Sequence, residues 1–451
     1  MSRTHSPDPA ATAGTPAPPD GLHPLPGGLG WTVDDRSLAL RLLADQRLGV
    51  LEPGPVMAHL AAKVPADVRP LVEDITAFAE KVMLQTGQDR HQVLRKAFGG
   101  FFDADAIAAV TPGMRADARD VAGRFAAAGG GEFMTAVAFP YAIRVGARLI
   151  GFTDDEYRRL HKLSQRLALV AYAARLDDPA EAVRAGHAAL VRVRGIVAAA
   201  RASAPPSSVL GAWHAGTVPL PDADIEANAV MLVQASLETV AGMLGNTAAR
   251  LLRAPGALAD PERREAVLDD ALRAEPPLKT LERVVLEPVV LDGQEFRAGQ
   301  IVSVRIAEAN RLDGDAVAGR ALFSFGWGAY RCLGARLARH QALELFGALH
   351  EAAPDAAVAE PETETERVRH IRFDMPRRLP VVCSPPRRDA AALTRALTEA
   401  LEEDDVDRRL TSLEHEVTQV VLKENGVLVP GELRGPETIR EWVTWAVPAG
   451  G

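Results

Sequence analysis

The sequence predicts a mainly α fold with small β-sheets, followed by a separate small helical bundle at its C-terminal end. Apolar residues recur at three- and four-residue spacing over most of the chain from Trp31 onward, whereas β-branched runs are short and few. The paired prolines of "SPPRRD" (384–389) then interrupt the pattern ahead of an acidic helical segment. With 451 residues, 47% of them hydrophobic, the chain is long enough to bury a large core, and length alone suggests two or three domains. Its 51 basic and 60 acidic residues give a formal net charge of −9, and no basic cluster carries interleaved aromatics, so nucleic acid is not an expected partner.

In chain order, "MSRTHSPDPAATAGTPAPPDG" lacks the apolar run of a signal peptide and is rich in Pro, Ala and Gly, so residues 1–28 are expected to be a disordered lead-in. Helices are predicted at "DDRSLALRLLADQ", "HQVLRKAFGGFF", "EYRRLHKLSQRLALVAYAARL" and "IEANAVMLVQASLETVAGMLGNTAARLL". Strands are predicted only in "VVLEPVVLDGQEF", "QIVSVRI" and "RLPVVC", the first bent by its "LDG" turn signal. No stretch approaches the ~18–20 apolar residues of a membrane helix, so no membrane is an expected partner. Cys332 and Cys383 are the only cysteines, too few for a disulfide framework or a Cys-rich zinc site, and a reducing, cytoplasmic compartment is expected.

One of those cysteines stands in "FSFGWGAYRCLGARLAR" (323–339). Gly326 and Gly328 precede Cys332 and Gly334 follows it, a pattern that allows a tight turn running into a helix whose free amides favour a thiolate. An isolated cysteine at a helix start is ordinarily a buried structural one. This stretch, however, resembles the haem-thiolate signature of cytochromes P-450: Phe325, the glycine-spaced loop with Tyr330, Cys332, Gly334, then "LAR" (337–339). The resemblance implies a cytochrome P-450 fold over residues 29–386, haem b, and Cys332 as axial iron ligand, where thiolate sulfur favours O–O cleavage.

Further segments follow the family's order. "DRHQVLRKAF" is similar to the segment whose His and Arg reach the haem propionates, here His91 and Arg95, four apart on one helical face. Without that frame the same spacing is usually a solvated face. "QASLETVAGML" (234–244) is similar to the central helix over the haem; its acid–alcohol pair, Glu238 and Thr239, is implied to deliver protons to dioxygen. Small Ala235 and Ser236 leave room beside iron, Ser236 standing where the family usually has glycine. "DDALRAEPP" carries Asp270 and Arg273 in place of Glu-x-x-Arg, a structural salt bridge with Arg320 as its expected third member. Arg283 matches a further propionate contact, and "AGQIVSVRIAEANR" (298–311) continues the pattern. Arg311 to Phe325 is shorter than the family's meander, trimming the surface that helps bind a redox partner. Tyr330 stands where a His or Arg is usual and brings a hydroxyl but no charge.

Residues 387–451 are expected as a carrier-protein-like or docking helical tail. Three amphipathic stretches are predicted: Leu393, Leu397, Ala400 and Leu401; Leu413, Val417, Val420 and Val421; Ile439, Trp442, Val443 and Ala446, with Gly426 as a helix stop after the second. The run from "LTSLEHEV" through "GVLVP" to "REWVTWA" resembles an acyl or peptidyl carrier protein, which implies 4'-phosphopantetheine on Ser412. Thr411 replaces the usual aspartate, and Thr411 with Glu414 equally forms a capping box on an ordinary docking helix.

Together the resemblances imply a haem-dependent monooxygenase that hydroxylates a small or carrier-tethered acyl or aminoacyl substrate in specialised metabolite biosynthesis. Electrons are expected from a separate ferredoxin and ferredoxin reductase. The rival expectations are a non-catalytic P-450-like scaffold, or a haem-thiolate enzyme of another reaction type such as coupling, dehydration or peroxide-driven oxidation.

Overall fold

The computed structural model describes residues 20–311, 323–359, 365–368, 370–383, 390–403, 405–424 and 437–446. Ten short strands are present among them: β1 (Leu22–Pro24), β2 (Gly30–Val33), β3 (Leu48–Gly49), β4 (Gly130–Glu132), β5 (Thr280–Val285), β6 (Val289–Leu291), β7 (Gln294–Phe296), β8 (Ile301–Arg305), β9 (Ala357–Val358) and β10 (Pro380–Val382). Five form a sheet in the order β1-β2-β8-β5-β3, with β2 and β8 parallel and the other pairs antiparallel. Alternation explains it: Val33, Val285, Val302 and Val304 point into an apolar cluster with Leu38, Leu42, Phe296 and Phe323. A second sheet places β10 between β4 and β9, and β6–β7 is a hairpin whose turn uses Asp292 (φ 51) and Gly293 (φ 78), as the "LDG" signal predicts.

Strand β1 corrects the expected lead-in, which does not extend over residues 20–28. Leu22 inserts into the sheet's apolar cluster, and the Asp34 amide donates to the Gly21 carbonyl at 2.7 Å. A three-residue strand leaves almost no periodic signal amid Pro and Gly, so composition concealed it.

The helical body begins with α1 (Arg36–Ala44), α2 (Pro53–Ala61), α3 (Arg69–Ala79) and α4 (Gln88–Gly99). It continues through α5 (Ala104–Ala127), α6 (Phe139–Ile150), α7 (Asp154–Leu169), α8 (Pro179–Arg201) and α9 (Val209–His214). Helix α7 starts on a complete capping box between Thr153 and Glu156. The predicted central helix is two: α10 (Asp222–Ser236) and α11 (Glu238–Leu251), interrupted at Leu237. Together, residues 222–251 are long and apolar enough to cross a membrane, but 72% of their most apolar window is buried inside the protein, as befits a core helix. Then come α12 (Pro261–Ala274), α13 (Ile306–Ala309) and α14 (Ala335–Ala352). Helix α14, which follows Cys332, lies along α5; Arg115 pairs with Glu344 at 2.7 Å, and the Tyr141 hydroxyl on α6 donates to the Gln341 carbonyl at 3.1 Å.

The C-terminal unit contains α15 (Ala390–Leu401), α16 (Ser412–Glu424) and α17 (Ile439–Ala446) around a cluster of its own that includes Leu393, Leu397, Leu422, Ile439 and Trp442. Two predicted inward positions face out. Ala400 is exposed, and so is Val420, because Thr418, Val421 and Leu422 define the buried stripe of α16 and Val420 lies about 200° round from Thr418 at about 100° per residue. Gly426 and the side chains of Leu413 and Ala446 lie outside the described residues.

Candidate active site

Three elements hold the cysteine loop. Asn310, buried at the end of α13, accepts from the Phe323 amide at 2.8 Å and donates to the Ser324 hydroxyl at 3.0 Å; Ser324 donates in turn to the Leu272 carbonyl on α12. Within the loop, the Gly326 amide donates to Phe323 and the Cys332 amide to Phe325, both at 2.7 Å. Gly326 and Gly328 adopt φ of 71° and 70°, and a Cβ on Gly328 would come within 2.4 Å of the Leu43 carbonyl oxygen. Gly328→Ala is therefore expected to destabilise the protein by about 1–3 kcal/mol, measured as a lowered urea midpoint, because both its dihedral and its contact with Leu43 are forbidden to alanine.

Cys332 is exposed by surface area, although protein groups crowd around its sulfur. Burial pushes its thiol up, opposed by a hydrogen bond from the Gly334 amide and by the charges of Arg95 and Arg331. Gly334 precedes α14 and abuts Phe102, while Phe325 packs against the main core.

Beside the loop the structure gathers the other predicted residues. The His91 ring lies 4.3 Å from the Tyr330 ring, and the Arg283 guanidinium sits 4.8 Å over Tyr330. Arg95 donates to the Arg331 carbonyl, and Tyr330 to the Thr86 carbonyl at 3.3 Å. His91 Nδ1 is paired with the Met83 carbonyl at 2.9 Å, but its buried Nε2 has no hydrogen-bond partner; the Ala329 carbonyl is near the ring without the geometry to bond it. Burial, then the neighbouring Arg95 and Arg283, pull the His91 pKa down despite the Met83 contact. Arg283 is buried on β5 and donates to the Glu282 carbonyl at 2.8 Å; it has no carboxylate partner among the described residues, and burial lowers its pKa. A buried guanidinium and an orphaned imidazole nitrogen beside the loop that carries the Cys332 thiol are the groups a haem needs: polar partners for its propionates and a sulfur ligand for its iron. The residues present fit the group.

The second predicted set lies where α10 meets α11. The Thr239 hydroxyl donates to the Ala235 carbonyl at 2.5 Å, and the Ser236 hydroxyl to the Leu232 carbonyl at 2.6 Å. Tyr157, on α7, donates to the Val233 carbonyl at 3.1 Å and meets the Ser236 hydroxyl at 2.7 Å. Side-chain hydroxyls thus share carbonyls that a continuous helix would use, around the break at Leu237. Glu238 faces α7: its Oε1 lies 2.7 Å from His161 Nε2 and accepts from Gln165 at 2.9 Å. Burial pushes this carboxyl up, but His161 and Gln165 outweigh it and hold it below the usual range.

The Asp270–Arg273 bridge forms at 2.8 Å but is not buried, as Asp270 is 59% exposed. The neighbouring Asp269 pairs instead with Arg339 of the "LAR" run. Asp270 lacks one methylene of glutamate and stays on the outer side of α12, while Asn310 braces the loop by donating to the Arg273 carbonyl at 3.3 Å. Arg320 lies outside the described residues. His161, Gln165, Tyr157 and Asn310 escaped sequence reasoning because their partners are distant in sequence; only the one-face spacing of His161 and Gln165 carried any signal.

No family model matches the chain. Cytochrome P450 165C4 of Amycolatopsis orientalis is 33% identical over 174 residues, 36% of this chain and 43% of that protein. The erythromycin C-12 hydroxylase of Saccharopolyspora erythraea is 27% identical over 329 residues, 66% of this chain and 80% of that one. Among solved structures, P450BioI in complex with a hexadec-9Z-enoic acid-ligated acyl carrier protein superposes with a TM-score of 0.65 at 21% identity, covering 78% of this chain and 92% of that one. The chain has the cytochrome P-450 fold. The names of the relatives support the cytochrome P-450 family, although the chain spans about half the length of some curated relatives it matches, 43% and 56% for two of them. Ala235, beside the α10–α11 break, and Phe325 and Leu333, flanking the cysteine loop, pack against the same core cluster.

Proposed function

We propose that the protein is a haem-dependent monooxygenase of the cytoplasm that hydroxylates a small or carrier-tethered substrate in specialised metabolite biosynthesis, with electrons from a separate ferredoxin and its reductase. The observation that carries this reading is the buried His91 Nε2 without a hydrogen-bond partner and the buried Arg283 without a carboxylate partner among the described residues, both beside the loop that carries Cys332. When bound, haem supplies activation of dioxygen at its iron.

The chain's own groups hold, orient and move protons. Cys332 would supply the sulfur, with the Gly334 amide, Arg95 and Arg331 favouring its thiolate against burial. His91, Arg95 and Arg283 would hold the propionate edge, and Tyr330, its ring 4.3 Å from that of His91 and 4.8 Å from the Arg283 guanidinium, packs against both side chains. The Thr239 hydroxyl donates its hydrogen bond to the Ala235 carbonyl, so its oxygen lone pairs remain free to accept. Glu238, kept ionised beside His161 at the partly open α7–α11 boundary, passes protons between solvent and that hydroxyl. Thr239→Ala is expected to leave haem binding intact while diverting reducing equivalents to hydrogen peroxide; unchanged product per NAD(P)H consumed would count against this role.

Tethered delivery is supported by the placement of Ser412 as the first residue of α16 and by a structural neighbour bound to an acyl carrier protein. Thr411 and Glu414 cap the same helix: the Thr411 amide donates to Glu414 at 2.6 Å, the Glu414 amide returns to Thr411 at 3.4 Å, and the Glu414 carboxyl is pulled down to about 2, first by Arg408 and then by Thr411. That box stabilises the helix start with or without modification. Incubation with coenzyme A and a broad-specificity phosphopantetheinyl transferase is expected to add one phosphopantetheine, mapped to Ser412. No mass gain, with an active transferase control, would leave the unit a docking element.

A further inference from the structure

A proton that reaches Glu238 must first cross the boundary between α7 and α11, and a histidine stands in that boundary. His161 and Gln165, one turn apart on α7, meet the same carboxylate: His161 Nε2 lies 2.7 Å from Glu238 Oε1, and Gln165 donates to that oxygen at 2.9 Å. The Glu238 side chain is 16% exposed and that of His161 12%. His161 Nδ1 has no hydrogen-bond partner among the described residues, yet it is not sealed from solvent as His91 Nε2 is. One ring nitrogen therefore meets the acid while the other is open to water. Elsewhere arginine ties helices together, as in Arg115–Glu344, Arg148–Asp117 and Arg194–Asp74. An arginine keeps its proton at any working pH, whereas a histidine takes one up and gives it back.

We infer that His161 is the solvent-side carrier of the proton path to Glu238, with Gln165 as a positioning residue; the inference rests on the monooxygenase reading. A proton from water adds to the Nδ1 lone pair. The imidazolium then releases its Nε2 proton to Glu238 Oε1 and is neutral again, and exchange with water restores the Nε2–H form. The carboxyl passes its proton toward the Thr239 hydroxyl, so one proton leaves the path for each that enters and nothing is oxidised or reduced. Burial raises the Glu238 pKa and the His161 contact lowers it, so the acid stays ionised beside a charged ring and takes a proton more readily as the ring gives one up. Other ionisable groups stand around α7. Tyr157 turns its hydroxyl to Ser236; Arg159, Lys162 and Arg166 line a groove with Arg192 of α8; Arg144 of α6 lies 3.7 Å from Asp154. The acids of α10, Asp222, Asp224 and Glu226, face Arg201, Arg90 and Arg194, and Gln234 of that helix donates to the Ser164 carbonyl without bringing a charge.

His161→Arg tests it, because arginine keeps a charged donor for Glu238 but does not release a proton. In haem-free protein carrying carbon-13 at its glutamate carboxyls, the wild-type Glu238 signal is expected to move in two steps with pH, one for its own protonation and one as the neighbouring ring titrates. His161→Arg should keep the first step and lose the second. In haem-loaded protein supplied with NADPH, a plant-type ferredoxin and its reductase, without added substrate, His161→Arg should slow NADPH consumption at least tenfold, below the loss of about 10²–10⁴-fold typical of an acid–base group because water substitutes in part. The solvent deuterium isotope effect on that rate should rise. His161→Gln, a neutral donor, should be slowed likewise with an unchanged thermal midpoint. The inference is overturned if the wild-type Glu238 signal moves in a single step, if His161→Arg keeps the wild-type rate, or if the rate falls only along with the thermal midpoint, which would make the pair a structural tie. A missing thiolate-type carbon monoxide band in loaded wild-type protein strikes the monooxygenase reading, whereas an intact band with an unslowed His161→Arg strikes only the role of His161.

Discussion

Cys332→Ala is expected to abolish the thiolate-type carbon monoxide difference band of the reduced protein, and product formation with it. The second cysteine offers no substitute: Cys383 is buried next to β10, where burial and then Asp355 push its thiol up to about 11. At Cys332 burial also opposes ionisation, but the Gly334 amide and the charges of Arg95 and Arg331 converge on the sulfur, and a bound cation would complete the compensation. The residues proposed to hold the propionates remain in the variant, so some haem should be retained with altered ligation. A persisting thiolate band in Cys332→Ala would remove this residue from the site. Fully loaded wild-type protein lacking the band would favour the scaffold reading, which draws on the exposed Asp270–Arg273 bridge.

Arg283→Met should move two measurements in opposite directions. In haem-free protein Arg283 is a buried charge without a carboxylate partner among the described residues, which is costly, so an apolar side chain of similar length should leave stability unchanged or higher. In haem-loaded protein the same substitution removes a charge-assisted contact worth about 1.5–3 kcal/mol, a roughly ten- to hundredfold loss in haem retention. Denaturant midpoints of the apo form and haem transfer to apomyoglobin read the two effects separately. A fall in apo stability with unchanged retention would make Arg283 a structural residue, serving Tyr330 through their 4.8 Å stacking.

Local pattern determined much of this protein by itself. The helical body, the "LDG" hairpin and the three C-terminal helices follow from periodicity and turn chemistry, which act over a few residues and can be read along the chain. The glycine-spaced loop ahead of α14 was equally legible, because positive φ at Gly326 and Gly328 is a local requirement with a residue-specific answer. Resemblance singled out His91, Arg95, Arg283 and Tyr330, but nothing in the residues themselves says that Arg283 lies over Tyr330 and Tyr330 beside His91; packing of β5, α4 and the loop decides that.

Tertiary structure alone also decided the pairing of Glu238 with His161, the contact of Tyr157 with Ser236 beside the break at Leu237, and the outward position of Asp270. The same holds for strand β1, whose only warrant is its partner β2 and the apolar cluster it covers. The Tyr157–Ser236 and His161–Glu238 contacts join residues tens of positions apart, and strand β1 depends on partners beyond its own three residues. Their energy comes from burial and from pairing across elements, and sequence spacing records neither.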